Sequence, residues 1–274
     1  IGATYSFNQS WDEAAHFPDY QYVFGQGVAK NIGGKNTEWA GQQYYSYGTG
    51  DDGLASTSGT SSAFGPKFDG QMFYQYDPEK EGRADAATLW RPYTDNHSGL
   101  FQTGHTSTHS LAITGNSDRG DMRLSLTYSK NEWILPNSGY DRLTVSFAGN
   151  QQVSKKLKIS GRASYTYRDV ENTPSLTYNS NSISYFLIFM NPNFDLNWFK
   201  PMWNKGQENV KQIRPFSSYL PNPYVLLYEA ENPAKKHTFM GNASATYQIN
   251  RNLDFMLRSG IQLTAQMQEQ HRPW

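Results

Sequence analysis

Apolar and polar residues alternate with a period of two along seven segments of the chain. In the clearest segment, Leu157 and Ile159 flank Lys158, and the pattern continues through Tyr165. Successive side chains of a β-strand point to opposite faces, so this alternation predicts strands. The predicted strands lie near residues 1–8, 105–115, 121–131, 142–152, 156–168, 237–249 and 253–266.

The connections between these segments alternate in length. Tight connections lie at 116–120, 154–155 and 250–252, a medium one at 132–141, and very long ones at 9–104 and 171–236. If the strands run up and down, the tight turns share one end of the sheet and the long loops share the other. Outer-membrane barrels have short periplasmic turns, long outer loops and spanning strands of about 9–11 residues. The sequence therefore predicts an all-β fold that is part of a transmembrane antiparallel β-barrel, with two very long extracellular loops.

The two faces of the predicted sheet differ in chemistry. One face mixes small residues with Leu, Ile and Phe, and it places tyrosines such as Tyr128 and Tyr247 near the strand ends. Aromatic girdles occupy the lipid–water boundary in barrels, so we expect this face to meet lipid. The other face is expected to line the lumen, and the charged residues assigned to it are Arg123, Lys130, Lys158, Arg162, Arg168, Asp254 and Arg258.

Composition narrows the possible functions. The chain has 24 Lys+Arg against 24 Asp+Glu, so its zero net charge provides no bulk attraction for nucleic acid. It has no cysteine, which excludes disulfides and a Cys-based zinc site. An aromatic content of 15% argues against disorder. The longest apolar run, Tyr185 to Met190, is far below the roughly 20 residues of a membrane-spanning helix.

Motifs that suggest catalysis or cofactor binding are weak. The stretch 48–53 matches G-x-G-x-x-G but lacks the strand before it and the helix after it, so a loop tip is expected. His105 and His109 would lie about 13 Å apart on a strand, too far to chelate one ion. The acidic residues Asp12, Glu13, Asp51, Asp52, Glu79 and Glu81 are not tied to one cleft. We therefore predict no catalytic residues, no metal, no cofactor and no enzymatic activity.

Several short blocks, in the same order as in a known family, resemble the SusC-like TonB-dependent outer-membrane transporters of Bacteroidetes. Each block alone is weak, and together they extend over nearly the whole chain. The blocks are Phe17–Gly27, Phe64–Gly70, Phe101–Gly104, Ala112–Asn116, Ile134–Asn137, Asn222–Tyr224, Leu226–Glu229 and Phe239–Asn242.

This resemblance implies a 22-stranded barrel in the outer membrane of a Gram-negative bacterium. A SusD-like surface lipoprotein would act as its lid, and the TonB–ExbB–ExbD complex would drive import of oligosaccharides or, less often, peptides. Pairs of transporter and lid are common as dimers in the family. The plug domain and TonB box are missing from this sequence, which suggests an interior segment of a longer protein.

Rings in the long loops are the candidate contacts for cargo or lid. Aromatic faces beside amides and carboxylates can stack on sugars or peptide side chains. The residues assigned this role are Trp90, Tyr93, Trp198 and Trp203. The alternative is that these rings pack the loops together.

Three other functions are compatible with parts of the sequence. A soluble or surface carbohydrate-binding β-protein would bury the apolar face. An outer-membrane barrel with a non-import role, such as an adhesin, would lack the SusD-like partner. A β-rich glycosidase would cleave glycans. The ordered blocks favour the transporter over all three, but they do not identify the cargo.

Overall fold

A computed structural model of the chain describes residues 1–26, 63, 67–73, 75–77, 82–214 and 220–272. Its described strands are β1 Gly2–Asp12, the two-residue strands β2 Met72–Phe73, β3 Tyr76–Asp77, β4 Gly82–Arg83 and β5 Thr88–Leu89, and the long strands β6 Gly104–Ser117, β7 Gly120–Glu132, β8 Gly139–Gln152, β9 Leu157–Asn172, β10 Ala234–Asn250 and β11 Leu253–Gln268. The helices are α1 Ile183–Phe189 and α2 Pro223–Tyr228, with 3-10 turns at Ser98–Leu100 and Leu196–Phe199.

The chain divides into two compact units. The strand unit consists of Ile1–Glu13, Thr103–Thr173 and Asn232–Gln270. The loop unit consists of Ala14–Gln102, Pro174–Glu231 and His271–Trp274. No helix among the described residues combines the length and the hydropathy needed to cross a membrane.

The strand unit is one antiparallel sheet in the order β1-β6-β7-β8-β9-β10-β11. The prediction of seven strands in an antiparallel all-β fold is confirmed, and each strand runs further than the alternation in the sequence indicates. The turns after β6, β8 and β10 share one end of the sheet, which we call the turn end. The connections after β1, β7 and β9 share the other end, which we call the loop end.

The register aligns the apolar residues in rows across the whole sheet. One row consists of Tyr5, Leu111, Leu126, Val145, Tyr165, Phe239 and Leu263. The next consists of Ala3, Ile113, Leu124, Phe147, Ala163, Gly241 and Ile261. A slip of one residue would move a whole strand's apolar set to the other face, so these rows specify the register. Leu126 is 44% exposed and Leu257 is 65% exposed, so this apolar face is uncovered.

The opposite face carries hydroxyl groups in equally regular rows. One row holds a Ser or Thr on every strand of the sheet: Ser6, Ser110, Thr127, Thr144, Thr166, Thr238 and Thr264. Neighbouring hydroxyls in it bond across the strands, at 3.0 Å for Ser110–Thr127 and 3.2 Å for Thr144–Thr166. These cross-strand pairs add to the backbone ladder.

Toward the loop end, the apolar face changes to aromatic and then to charged residues. His109 and His237 share one row, and each nitrogen Nδ1 shares a hydrogen bond with a tyrosine hydroxyl, Tyr5 at 2.8 Å and Tyr165 at 2.7 Å. In the next row toward the loop end lie Lys130, Asp141, Asp169 and Lys235. The hydroxyls of Tyr128 and Tyr167 donate to Asp141 and Asp169, both at 2.8 Å.

The position of Lys130 corrects one assignment made from the sequence. Lys130 was expected on the face of Arg123, but it is an even number of positions from Tyr128 and Met122, on the apolar side of β7. It lies beyond the aromatic row, within 3.8 Å of Glu132. The position of a residue in the alternation, and not its charge, decides which face of the strand it occupies.

The apolar band has the height of a membrane's hydrocarbon core. His237 and Tyr247 lie ten positions apart on the apolar side of β10. At about 3.3 Å per residue they are about 33 Å apart along the strand. A strand tilted by ~40° would span about 25 Å with this stretch, the typical height of the apolar band of a barrel.

The loop unit has a hydrophobic core of its own. Phe186, Phe194 and Phe199 meet edge to face, with ring centroids 5.6–6.5 Å apart. All three rings are buried, as are Leu220 and Leu227. The described parts of the long connections are therefore folded around a core, and this agrees with the alternative that aromatic rings pack the loops together.

Asn222 organises the polar part of this core. Its side chain is fully buried, donates to the carbonyls of Phe199 and Ile213 at 2.9 Å, and accepts from the backbone N–H of Tyr224 at 2.8 Å. It is the N-cap of α2, and Pro223 occupies the first turn. The Asn222–Pro223 pair is thus a helix start of the common kind.

Candidate functional site

The basic residues assigned to the lumen share one face of the strand unit. Arg123, Lys158, Arg162, Arg168 and Arg258 all alternate in phase with the hydroxyl rows, opposite the apolar rows. Arg123 and Arg162 flank Ala148 in a single row. A shallow groove of 640 Å³ between them is also lined by Ser125, Ser146, Ser164, Asn242 and Gln262. The polar face therefore offers cations and hydroxyl donors, a surface suited to polar or anionic groups.

The loop unit brings two of the candidate rings together. The rings of Tyr93 and Trp198 meet edge to face at 6.1 Å, and both are partly exposed. The Arg91 guanidinium lies 4.4 Å from the centre of the Tyr93 ring. A hydrogen bond with Tyr93 is the main cause that raises the pKa of Arg91, and the negative charges of Asp195 and Asp95 add to it.

Two further tyrosines lie on α2, and one of them is within electrostatic range of Asp195. Tyr224 and Tyr228, one turn apart on α2, stack with their ring planes 11° apart. Burial is the main cause that raises the pKa of Tyr224 to about 12, followed by Tyr228 and Asp195. Asp195 acts electrostatically on both Arg91 and Tyr224. We call this group the Trp198 patch: Arg91, Tyr93, Asp195, Trp198, Tyr224 and Tyr228.

The backbone holds the Trp198 patch in place. The N–H of Tyr93 donates to the Pro192 carbonyl at 2.8 Å, and Asp195 accepts from the backbone and side-chain amides of Asn197, both at 2.8 Å. Partly exposed rings beside a cation and a carboxylate can stack on a sugar or a peptide side chain while the charges bond its polar groups. Sequence reasoning missed Tyr224 and Tyr228, although the Asn222–Pro223 helix start and the i, i+4 spacing indicate them.

The other two candidate rings do not face solvent. Trp90 is 1% exposed, lies 5.4 Å from the Phe68 ring, and covers Gly25 so closely that a Cβ there would overlap its ring. Trp203 is 8% exposed and forms a β-bridge with Gln212. Both rings are therefore packed within the loop unit, which is the alternative role that the sequence leaves open for them.

The two histidines singled out from the sequence do not form a metal site in the described part of the chain. His105 and His109 lie on β6, each against its own aromatic neighbour, Trp11 and Phe7. Within the residues that the structure describes, no group of three or more His, Asp or Glu side chains could hold a metal ion. The 48–53 motif, Asp51, Asp52, Glu79 and Glu81 lie outside the described residues.

His97 is a buried titratable group in the loop unit. Its ring stacks on Tyr20 at 3.6 Å, and its Nε2 donates to the Leu187 carbonyl at 3.2 Å. Its Nδ1 is buried without a hydrogen-bond partner. Burial lowers the pKa of His97, and the bond to Leu187 opposes that shift only in part. The neutral imidazole is therefore the form that fits this site.

Comparison with known proteins yields one curated relative and several similar structures. No family model matches the chain. The TonB-dependent receptor P3 of Formosa agariphila is 23% identical over 173 residues, which is 61% of this chain and 16% of the receptor. The RagAB peptide importer is similar in its closed-closed and open-open states, with a TM-score of 0.48 for each. Each match covers 63% of this chain and 19% of the importer chain. The sequence identity is 17% for the closed-closed state and 16% for the open-open state. At that TM-score the structural likeness decides nothing by itself.

The sheet and the sequence relative indicate the same class of protein. A meander with one apolar face, one polar face and tight turns at one end only is typical of a membrane β-barrel. The match to a TonB-dependent receptor confirms the recognition made from the sequence blocks. Over 61% of its length this chain is therefore similar to a TonB-dependent receptor, the class of protein that its sequence blocks resemble. It spans about a sixth of the length of its curated relative.

We predict that the loop unit loses stability as the pH falls below about 6.5, the ordinary pKa of histidine. His97 has its pKa lowered in the folded state, so its contribution is present above that pH and is lost as the unfolded form gains the proton. A single proton changes the opening equilibrium by at most about tenfold per pH unit.

Hydrogen exchange of segment 96–101 at pH 7.5 and 5.5, corrected for intrinsic rates, measures this loss. His97→Gln should remove the pH dependence. The matched control is His16→Gln, at an exposed position of the same unit, and it should retain it. Equal protection at both pH values in the unmodified protein would show that His97 does not titrate in this way.

Proposed function

We propose that this chain forms part of the wall and mouth of an outer-membrane transporter that imports oligosaccharides or peptides. The observation that carries the proposal is the two-faced sheet, whose apolar rows run unbroken from β1 to β11 while the other face holds hydroxyls and cations. A face of exposed Leu, Ile and Phe is stable against lipid. A soluble carbohydrate-binding protein would have to cover it.

In this proposal the polar face lines the lumen, with Arg123, Lys158, Arg162, Arg168 and Arg258 directed toward plug and cargo. The tight turns lie at the periplasmic side and the loop end at the cell surface. The charged row of Lys130, Asp141, Asp169 and Lys235 then lies at the level of the lipid headgroups, just beyond the tyrosine and histidine girdle.

The partners follow from the SusC-like resemblance. A SusD-like surface lipoprotein would close over the long loops as a lid, and pairs of transporter and lid could assemble as dimers. The TonB–ExbB–ExbD complex would supply energy through a part of the protein outside this segment. The host would be a Gram-negative bacterium of the Bacteroidetes. Import needs no covalent chemistry by this chain and no cofactor.

The Trp198 patch is the proposed contact for cargo or lid. Tyr93 and Trp198 keep accessible ring faces, and Arg91 and Asp195 supply both charges beside them. This combination accepts a sugar ring or a peptide side chain equally well, so the cargo class is a question for experiment.

Import is tested by comparing cells that carry the intact gene with cells from which it is deleted. Both are incubated with one mixture of oligosaccharides and oligopeptides, and depletion of each species is followed by mass spectrometry. We expect selective depletion only with the intact gene, and its loss when a protonophore collapses the proton-motive force. Identical depletion by both cell types would contradict an import role.

Replacing Trp198 by alanine should lower uptake of the depleted species by about tenfold, because losing a stacked ring costs on the order of 1.4 kcal/mol of binding free energy. Tyr178→Ala is the matched control, since its ring is 72% exposed in the same unit but outside the patch. The measurement is initial uptake rate at equal surface abundance. Equal losses of uptake in both variants would contradict a specific role of the Trp198 patch in binding cargo or lid.

A further inference from the structure

Three basic side chains occupy adjacent positions in one row of the polar face. Arg142 of β8 pairs directly with Arg168 of β9, which pairs directly with Lys236 of β10. Neighbouring strands are about 4.8 Å apart, so the three stems emerge side by side. Like charges placed directly opposite each other across strands are destabilising. A row of three is therefore an arrangement that calls for a counter-charge.

No counter-charge lies nearby on this face within the described residues. The row on the loop-end side holds Ser10, Thr106, Asn131, Tyr140, Val170, Ala234 and Gln268, and the row on the other side is the row of Ser and Thr residues. The acidic residues of the polar face, Asp12, Asp121 and Asp254, are all at strand ends. The acids Asp141 and Asp169 project from the opposite face, where Asp169 meets Lys235 at 3.9 Å.

The guanidinium of Arg168, the central residue of the row, is fixed in position but keeps a donor without a hydrogen-bond partner. Arg168 lies over the Tyr140 ring at 4.4 Å, a cation–π contact that fixes its plane. Its Nε–H is buried and has no hydrogen-bond partner. A guanidinium in this state can still bind a planar oxyanion through two parallel hydrogen bonds. Thr144 and Thr166 occupy the next row on this face beside the arginine pair, so hydroxyl groups adjoin the position.

We propose that Arg142, Arg168 and Lys236 form a binding site for an oxyanion, a carboxylate or sulfate group carried by the cargo. The site lies near the loop end, since Arg142 follows Gly139 by three positions and Lys236 follows Ala234 by two. This inference rests on the proposed function, in which that end is the mouth. It adds that the wall selects for acidic cargo.

Inorganic sulfate is the probe for the site. The complete transporter in detergent is heated in increasing sulfate at constant ionic strength, with chloride as the balancing anion. A ligand bound only by the folded protein raises the unfolding temperature as its concentration rises. We expect this rise in the unmodified protein, and an apparent affinity at least about tenfold weaker in the double variant R142Q/K236Q.

The controls distinguish this site from general charge effects. K235Q removes the neighbouring cation of β10, which projects from the opposite face and lies 3.9 Å from Asp169, and it should leave the response unchanged. R142K keeps the positive charge, so it should retain most of the sulfate response. K236Q alone provides a milder variant if the double variant folds poorly. An equal loss in K235Q, or no sulfate response beyond chloride in the unmodified protein, would overturn the site.

The same data separate the possible sources of the oxyanion. If R142Q/K236Q is clearly less stable than the unmodified protein without sulfate, the row is already paired with an acidic group of the transporter itself, which overturns binding of cargo there. Equal or higher stability supports a free site. A missing sulfate response together with gene-dependent uptake overturns only this inference, whereas gene-independent uptake overturns the proposed function.

Discussion

The register of seven antiparallel strands is the constraint on which the rest of the structure depends. Because side chains alternate with a period of two, one register places Leu126, Val145 and Tyr165 in the same row and their polar neighbours on the reverse. A shift by one residue in any strand would place apolar groups among the hydroxyls and charges among the leucines. The lipid-facing and lumen-facing sides proposed for the sheet both depend on keeping this register over strands of 11 to 17 residues.

Most of the strand unit could be predicted from the sequence because its code is local. Alternation identifies the strands, and the lengths of the connections identify the two ends of the sheet. Local alternation does not show which residues pair across neighbouring strands. The neighbours Arg142, Arg168 and Lys236 are 26 and 68 positions apart along the chain, and only the register brings them together. For Lys130 the local alternation gives the correct face, and the assignment to the other face came from its charge alone.

The loop unit was predicted less well for a different physical reason. Its rings have no periodic pattern, so burial depends on contacts that are distant in sequence. Trp90 lies in a long loop and was therefore a candidate for ligand contact, but its ring is buried against Phe68 and Gly25. Trp198 looked the same in sequence and remains accessible. The Asn-Pro pair is typical of a helix start, whereas the role of Asn222 in the core depends on its bonds to Phe199 and Ile213, which local sequence does not indicate.

The central claim is that one face of this sheet meets lipid and the other meets an aqueous or protein-filled lumen. This segment contains no cysteine, so single cysteines at Leu124, Ser125, Leu126 and Thr127 of β7 can carry spin labels. In the complete protein in bilayers, with any cysteine outside the segment replaced by serine, the measurement is accessibility to oxygen and to a water-soluble nickel complex. The account predicts an oxygen-rich, nickel-poor environment at Leu124 and Leu126 and the reverse preference at Ser125 and Thr127. Equal access of the nickel complex to all four positions would contradict it.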